Sequence, residues 1–332
     1  MIELKNDALV FSFPEVHPDA VLSVQFQRTL RIPDDGRTYP LPAGLARFPM
    51  RHVDDFADRV PSDWLEHGGV LLPMYQAEAL WINLHSNGYP MALKVATGKI
   101  DAVAGGEFSE GLNRTPQDYL VVPDQPWLDG YCIDEGVVRQ FVAMPLGSGY
   151  TTEEQLTGRA QHGGLQLVAC PIRSEVWEAM KRRKAARAEI VACYEMAPSF
   201  QASMGLAPGG RMRQKIYPDR RRPTDWALRH RSRCFVHLAN SHVWRSITGE
   251  EAPATPVTPA EYERQGIPWF DYYEERYSTV PRSDRLAGVE SVVNRAKRLG
   301  HPPLIGNDSV DPKLIVELRR GLAPEEVRQG EF

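Results

Sequence analysis

From Leu22 the chain reads LSVQFQRTLRI, and this alternation constrains the fold more than any other stretch. Leu22, Val24, Phe26, Leu30 and Ile32 fall on one face and Ser23, Gln25, Gln27, Thr29 and Arg31 on the other, with Arg28 interrupting the apolar series. A period of two belongs to a half-buried strand, because successive side chains of an extended backbone point to opposite faces. Pro33-Asp34-Asp35-Gly36 follows, where proline presets a turn and glycine tolerates positive φ. The pattern predicts a hairpin completed by a second strand over Thr38 to Leu41.

Other segments repeat the theme. ALKVA and KIDAV flank Thr97-Gly98 within Ala92 to Val103 and predict a second hairpin, and strands are expected over Tyr119 to Val122, Val137 to Met144 and Leu165 to Cys170. Later residues carry helix signals. Ser174 to about Cys193 is rich in Ala, Glu, Lys and Arg, with Val176, Met180, Ile190 and Val191 available for a packed stripe. Thr258-Pro259-Ala260-Glu261 combines an N-cap, a proline at the first helical position and a capping-box glutamate, with Gly266 as a stop. Ser283 to Leu299, ending at Gly300, and a segment from Asp311-Pro312 to Gly321 predict two more helices.

These elements predict an α+β protein: a strand-rich, largely antiparallel N-terminal body followed by a helix-rich C-terminal half. The prolines at 253, 256 and 259 mark residues 249–259 as a linker, since proline forbids regular structure while stiffening the chain. The expected division is a main body over 1–248 and a helical appendage over 260–332.

The bulk properties exclude several classes. With 42% hydrophobic and 25% charged residues the composition is that of an ordinary globular protein. No apolar run approaches the ~20 residues needed to span a bilayer, and the acidic residues flanking the short N-terminal apolar stretch do not suit a secretion signal. Cys132, Cys170, Cys193 and Cys234 form no CxxC pair, so reduced thiols, a cytoplasmic location and no metal or cofactor are the expectation. The net charge of −4 argues against wholesale nucleic-acid binding.

Four local features invite functional readings. Val137 to Gly158 reads as a strand, a Gly147-Ser148-Gly149 loop and a helix starting near Thr151, a geometry whose backbone N–H groups can hold a phosphate, with Arg139 nearby. Glu153 and Glu154 oppose this by occupying the first helical turn, where Thr151 with Glu154 is expected to form a capping box. Arg211 to Arg233 carries nine Lys or Arg against two Asp, a net of +7, and subtracting it from −4 leaves −11 for the rest. Arg220, Arg221 and Arg222 with Trp226 could grip phosphates and stack on unpaired bases, or the arginines could pair with the acidic remainder of the chain or of a neighbouring subunit.

Cys234, His237, Asn240, Ser241 and His242 crowd together, yet in a strand Cys234 and His237 face opposite sides, so the segment reads as a buried strand leading to a capped helix. Glu78 stands within an apolar stretch and needs a cationic partner. As catalytic candidates, only Glu78, as a general base, and His237 suggest themselves.

No catalytic constellation emerges. The leading expectation is a non-enzymatic protein that acts through self-association or a protein partner, motivated by the segregated charge and by Trp269 and Phe270 of PWFDYY as interface aromatics beside the proline linker. The alternative is a small-molecule or phosphate-binding enzyme using the Gly147–Gly149 loop. Single-stranded nucleic-acid binding comes third.

Overall fold

The computed structural model of the chain describes residues 1–184, 203–272 and 278–318. Among the described residues strands hold 36% and helices 19%, and the helix-rich C-terminal half expected from sequence is overturned. Among the described residues seventeen strands join in one mostly antiparallel sheet, and three more form a small second sheet.

One run of pairing leads from the hairpin Ile2–Lys5/Ala8–Ser12 through Val21–Thr29 and Ala79–His85 to Val137–Pro145 and Ser203–Arg213. A second run joins Met91–Thr97, Leu165–Pro171, Ser232–Asn240 and Val70–Met74, the last pair parallel. The two meet where Ser203 pairs with Ala239. Side chains from both runs, Leu22, Val24 and Phe26 with Leu93, Val95, Leu167 and Val236 among them, share one large core.

The strand Val21–Thr29 shows the expected alternation only at first. From Phe26 onward every residue to Pro33 is buried, because later chain covers the second face. The hairpin partner is also different. Val21–Thr29 pairs with Gly44–Arg47, whereas Thr38–Tyr39 runs parallel to Arg211–Met212 and Leu41–Pro42 pairs with Trp269–Tyr272. The second hairpin forms as expected, Thr97 pairing with Ile100 across Gly98 and Lys99, both at positive φ.

The signals at Thr258 and at Ser283 to Gly300 marked helix ends, not lengths, and the one at Asp311-Pro312 marked no helix. The Thr258 capping box opens a helix of six residues, Pro259–Arg264. Ser283 caps Asp284–Ala287, Gly288 interrupts, and Ser291 caps a separate helix, Val292–Leu299, that stops at Gly300 in a left-handed conformation. Asp311-Pro312 leads into the strand Ile315–Leu318, in keeping with its β-branched Ile315 and Val316. The helix from Ser174 is described to Lys184, and its expected continuation to Cys193 lies outside the described residues, as do Gly321 and Tyr273.

Ser203–Arg213 escaped notice because Gly205, Pro208, Gly209 and Gly210 resemble turn chemistry. They instead permit close approach: a Cβ at Gly209 would stand 2.5 Å from Val142 Cγ2, and one at Gly210 2.4 Å from the Pro33 carbonyl oxygen.

Beyond Arg213 the chain is spliced into the body by glutamine side chains. Gln125 accepts from Tyr217 N and donates to Lys215 O, while Gln117 accepts from Asp219 N and donates to Tyr217 O. Each amide supplies one acceptor and two donors, and so satisfies backbone groups where no neighbouring strand does.

Candidate functional site

The residues singled out from sequence fall into places that consume most of their chemistry. Thr151 and Glu154 form the expected capping box at the helix Thr152–Thr157. Glu154 Oε1 also accepts from Gly149 N at 2.7 Å, and Arg295 Nε donates to Gly149 O at 2.6 Å. The glycine loop is therefore occupied by a carboxylate of its own chain. Gly147 lies open, since a Cβ there would meet nothing within 4 Å, and Ser148 Oγ turns back to donate to Pro145 O. Arg139 does not reach this loop; it binds Asp34 Oδ1 at 3.2 Å and Gly209 O at 3.0 Å.

Four arginines of the basic segment pair with carboxylates elsewhere in the chain. Arg213 meets Asp271 at 2.9 Å and Arg221 meets Asp124 at 2.8 Å, while Arg231 and Arg233 converge on Glu110. Trp226 is buried, donating its indole N–H to Asp219 Oδ2 at 3.0 Å, and Tyr119 O–H donates to the same oxygen at 2.7 Å. Arg220 and Arg222 remain exposed. Trp269 is buried beside Tyr39 and Tyr262, and Phe270 is half-buried, so the expected exposed aromatics are largely core residues. Their position follows from pairing with Leu41–Pro42, which draws the aromatic segment onto the body.

His237 is buried between Trp64 and Phe235, with ring centroids 4.7 and 4.4 Å away, and its Nε2 meets the Gly68 carbonyl at 3.0 Å. Burial pulls its imidazole down to about 4, against the Gly68 hydrogen bond. Neutral and enclosed, it is a packing histidine. Glu78 is 1% exposed and pairs with Arg28, while its other oxygen accepts from Tyr75 N at 2.8 Å. No carboxylate oxygen is left facing solvent. Among the described residues no group of three His, Cys, Asp or Glu is placed to hold a metal, and no helix is long and apolar enough to cross a membrane.

Asp129 is a further buried carboxylate, and burial pushes it up to about 7 from 3.8, opposed by a hydrogen bond from Trp127. Folding thus binds a proton that the unfolded chain releases between those values. The associated stability is present at low pH and is lost as pH rises through about 7. Asp129→Asn should accordingly be more stable than the parent at pH 8 by a few kcal/mol, the gain vanishing below pH 4. Urea unfolding of both proteins across this range measures the effect.

The candidate site is a cleft of about 540 Å³ between the body and the segments 256–259 and 301–306. Ser148 and Tyr150 line it from the glycine loop, Gln76 and Ala77 from the turn preceding Ala79–His85, and Arg31 from the end of the first long strand. Ala77 holds φ +64°, a left-handed conformation costing an alanine about 1–2 kcal/mol. Its methyl packs in the same apolar cluster as Leu304, across the cleft.

Arg31 is 9% exposed. Its guanidinium donates to Asn307 Oδ1 at 3.4 Å, to Gly306 O at 3.2 Å and to Ile305 O. Among the described residues no carboxylate forms an ion pair with it; Asp34 acts on it from farther off and is itself paired with Arg139. Burial draws the guanidinium down to about 10, so it stays charged at neutral pH.

Across the cleft Tyr150 stacks on His301 at 5.7 Å, and its hydroxyl lies 2.8 Å from Nδ1. Burial raises the phenol above its ordinary value. The hydroxyl therefore keeps its proton, and the imidazole tautomer decides which of the two groups donates.

Alternation in the sequence placed Arg31 on the solvent face, and only the chain 274 residues later reverses that. Tyr150 and His301 carried no signal of pairing. Pro302-Pro303 beside His301 was the one local hint of a fixed wall. Compared with protein-family models, curated proteins and solved structures, the chain matches none of them.

Proposed function

We propose that this protein binds a small anionic ligand in the cleft between its body and residues 301–306. The observation that carries this reading is Arg31, a buried cation on the cleft wall whose hydrogen-bond acceptors are neutral oxygens and whose nearest carboxylate, Asp34, acts from farther off while paired with Arg139. A guanidinium has five N–H donors, and Arg31 has three acceptors, so donor capacity and charge both remain for a ligand. The volume lies within the roughly 300–1,000 Å³ of small-molecule sites. Binding here differs from the phosphate reading of the glycine loop, whose Gly149 amide is already taken by Glu154.

The test is thermal unfolding in sodium acetate, benzoate, phosphate and sulfate, against chloride at matched ionic strength. An anion at a hundred times its Kd adds about 2.7 kcal/mol, a rise of several degrees. Arg31→Met should abolish that rise. If no anion shifts the parent beyond chloride, the reading fails.

A further inference from the structure

The lining of the cleft says more about its ligand than that it is an anion. Arg31 is the only permanently charged side chain among the sixteen lining residues, and no Asp, Glu or Lys is present. A single buried guanidinium balances one negative charge, whereas sites for phosphate monoesters and polyphosphates gather several cations or backbone N–H groups. The absence of a lining carboxylate likewise removes any counter-charge for an amine, which disfavours zwitterions such as free amino acids.

The remaining surface is mostly apolar. Five of the sixteen residues are prolines, at 145, 256, 259, 302 and 303, and Val257, Leu304 and Tyr150 extend the wall. Prolines give a surface with fixed φ and no backbone N–H, so this wall offers few donors to a sugar or a base edge. The polar groups near it are largely spent: Thr258 Oγ1 donates to Glu261 and accepts from its N–H, Ser148 Oγ donates to Pro145 O, and Tyr150 O–H meets His301. A ligand that buries a hydroxyl-rich body here would lose hydrogen bonds to water without replacement.

Building on the anion-binding reading above, we infer that the ligand is an apolar monocarboxylic acid, its carboxylate at Arg31 and its aliphatic or aromatic body against the proline wall. The experiment is isothermal titration of the full chain with octanoate, 4-phenylbutyrate, octanol, octylamine, AMP and inorganic phosphate. One of the two carboxylates should bind at least tenfold more tightly than octanol, octylamine, AMP or phosphate. Arg31→Met should weaken that carboxylate at least tenfold while leaving octanol unchanged, a split that collapse of the fold would not produce.

Ser148→Phe, which keeps Arg31 and fills the cleft, should remove carboxylate binding. It decides the matter if the Arg31 variant does not fold, and undiminished octanoate and 4-phenylbutyrate binding by it would overturn the assignment. AMP or phosphate binding most tightly, in an Arg31-dependent way, would overturn the ligand class and leave the anion site standing. Octanol matching the carboxylates would overturn the role of charge. Failure of every anion to bind the folded parent would overturn both readings.

Discussion

Glu78→Ala is expected to lose about 3–5 kcal/mol of folding free energy, seen as a lower urea midpoint with little change in slope. The parent holds Glu78 and Arg28 as an ion pair with both side chains 2% exposed, and Arg28 also lies 5.2 Å from the Phe48 ring centroid and donates to Ala254 O. Burial pushes the Glu78 carboxyl up, opposed by Arg28 and by the Tyr75 N–H. Taking away the carboxylate strands a guanidinium in the interior, which is why the single change costs more than the pair itself contributes. Arg28→Met combined with Glu78→Leu should regain most of the loss, since two well-packed apolar side chains need no solvation. A double variant as unstable as the single one would show that the pair holds the 75–78 turn by its hydrogen bonds and not by charge. That outcome matters for the cleft, because Gln76 and Ala77 of this turn line it.

Interrupted alternation made Arg28 conspicuous in the sequence, and an apolar stretch made Glu78 so; their partnership was not legible, because nothing local sets the register between Val21–Thr29 and Ala79–His85. The register places Arg28 opposite Leu80, two residues past Glu78. Short-range chemistry was read well: the Thr97-Gly98 turn, the Thr151 and Thr258 capping boxes and the Asn240 cap of Ser241–Thr248 all follow from a few neighbouring residues.

Long-range coverage was not. Periodicity reports that one face of a strand is apolar, but it is silent on what later chain covers the other, and so Arg31 passed for a surface residue. The prolines at 256 and 259 were read as a linker for the same reason. Their effect on the backbone was clear, while their use as a cleft wall depends on residues 301–306. The charge count of Arg211 to Arg233 was correct, yet it is a property of composition. Asp124, Asp271 and Glu110, distant in sequence, pair with four of its arginines.

Glu153 shows how a correct electrostatic intuition can attach to the wrong atoms. The sequence suggested backbone N–H groups gathered around an anion near the Gly147–Gly149 loop, with Glu153 opposing an incoming ligand. Glu153 is itself such an anion, held at a different loop. Its Oε1 accepts from Gln161 N and His162 N, each at 2.9 Å, and its Oε2 from Gly163 N at 2.8 Å, in a carboxylate 2% exposed. Three successive amides converging on one charge form a backbone nest, filled here from within the chain. Gly98 permits the approach, since a Cβ there would lie 2.4 Å from Glu153 Oε2.

Glu153→Ala would leave three N–H groups without acceptors and is expected to cost about 3–5 kcal/mol, at roughly 1–3 per unsatisfied group with partial rescue by water. Glu153→Gln keeps one acceptor oxygen but turns a donor toward the nest, so it should fall between alanine and the parent. Hydrogen exchange separates a local from a global effect: amides 161–163 should lose protection in both variants even under conditions where the core strands do not. Unchanged protection at 161–163 in the alanine variant would mean that the loop is held by its neighbours and that the carboxylate merely fills the space.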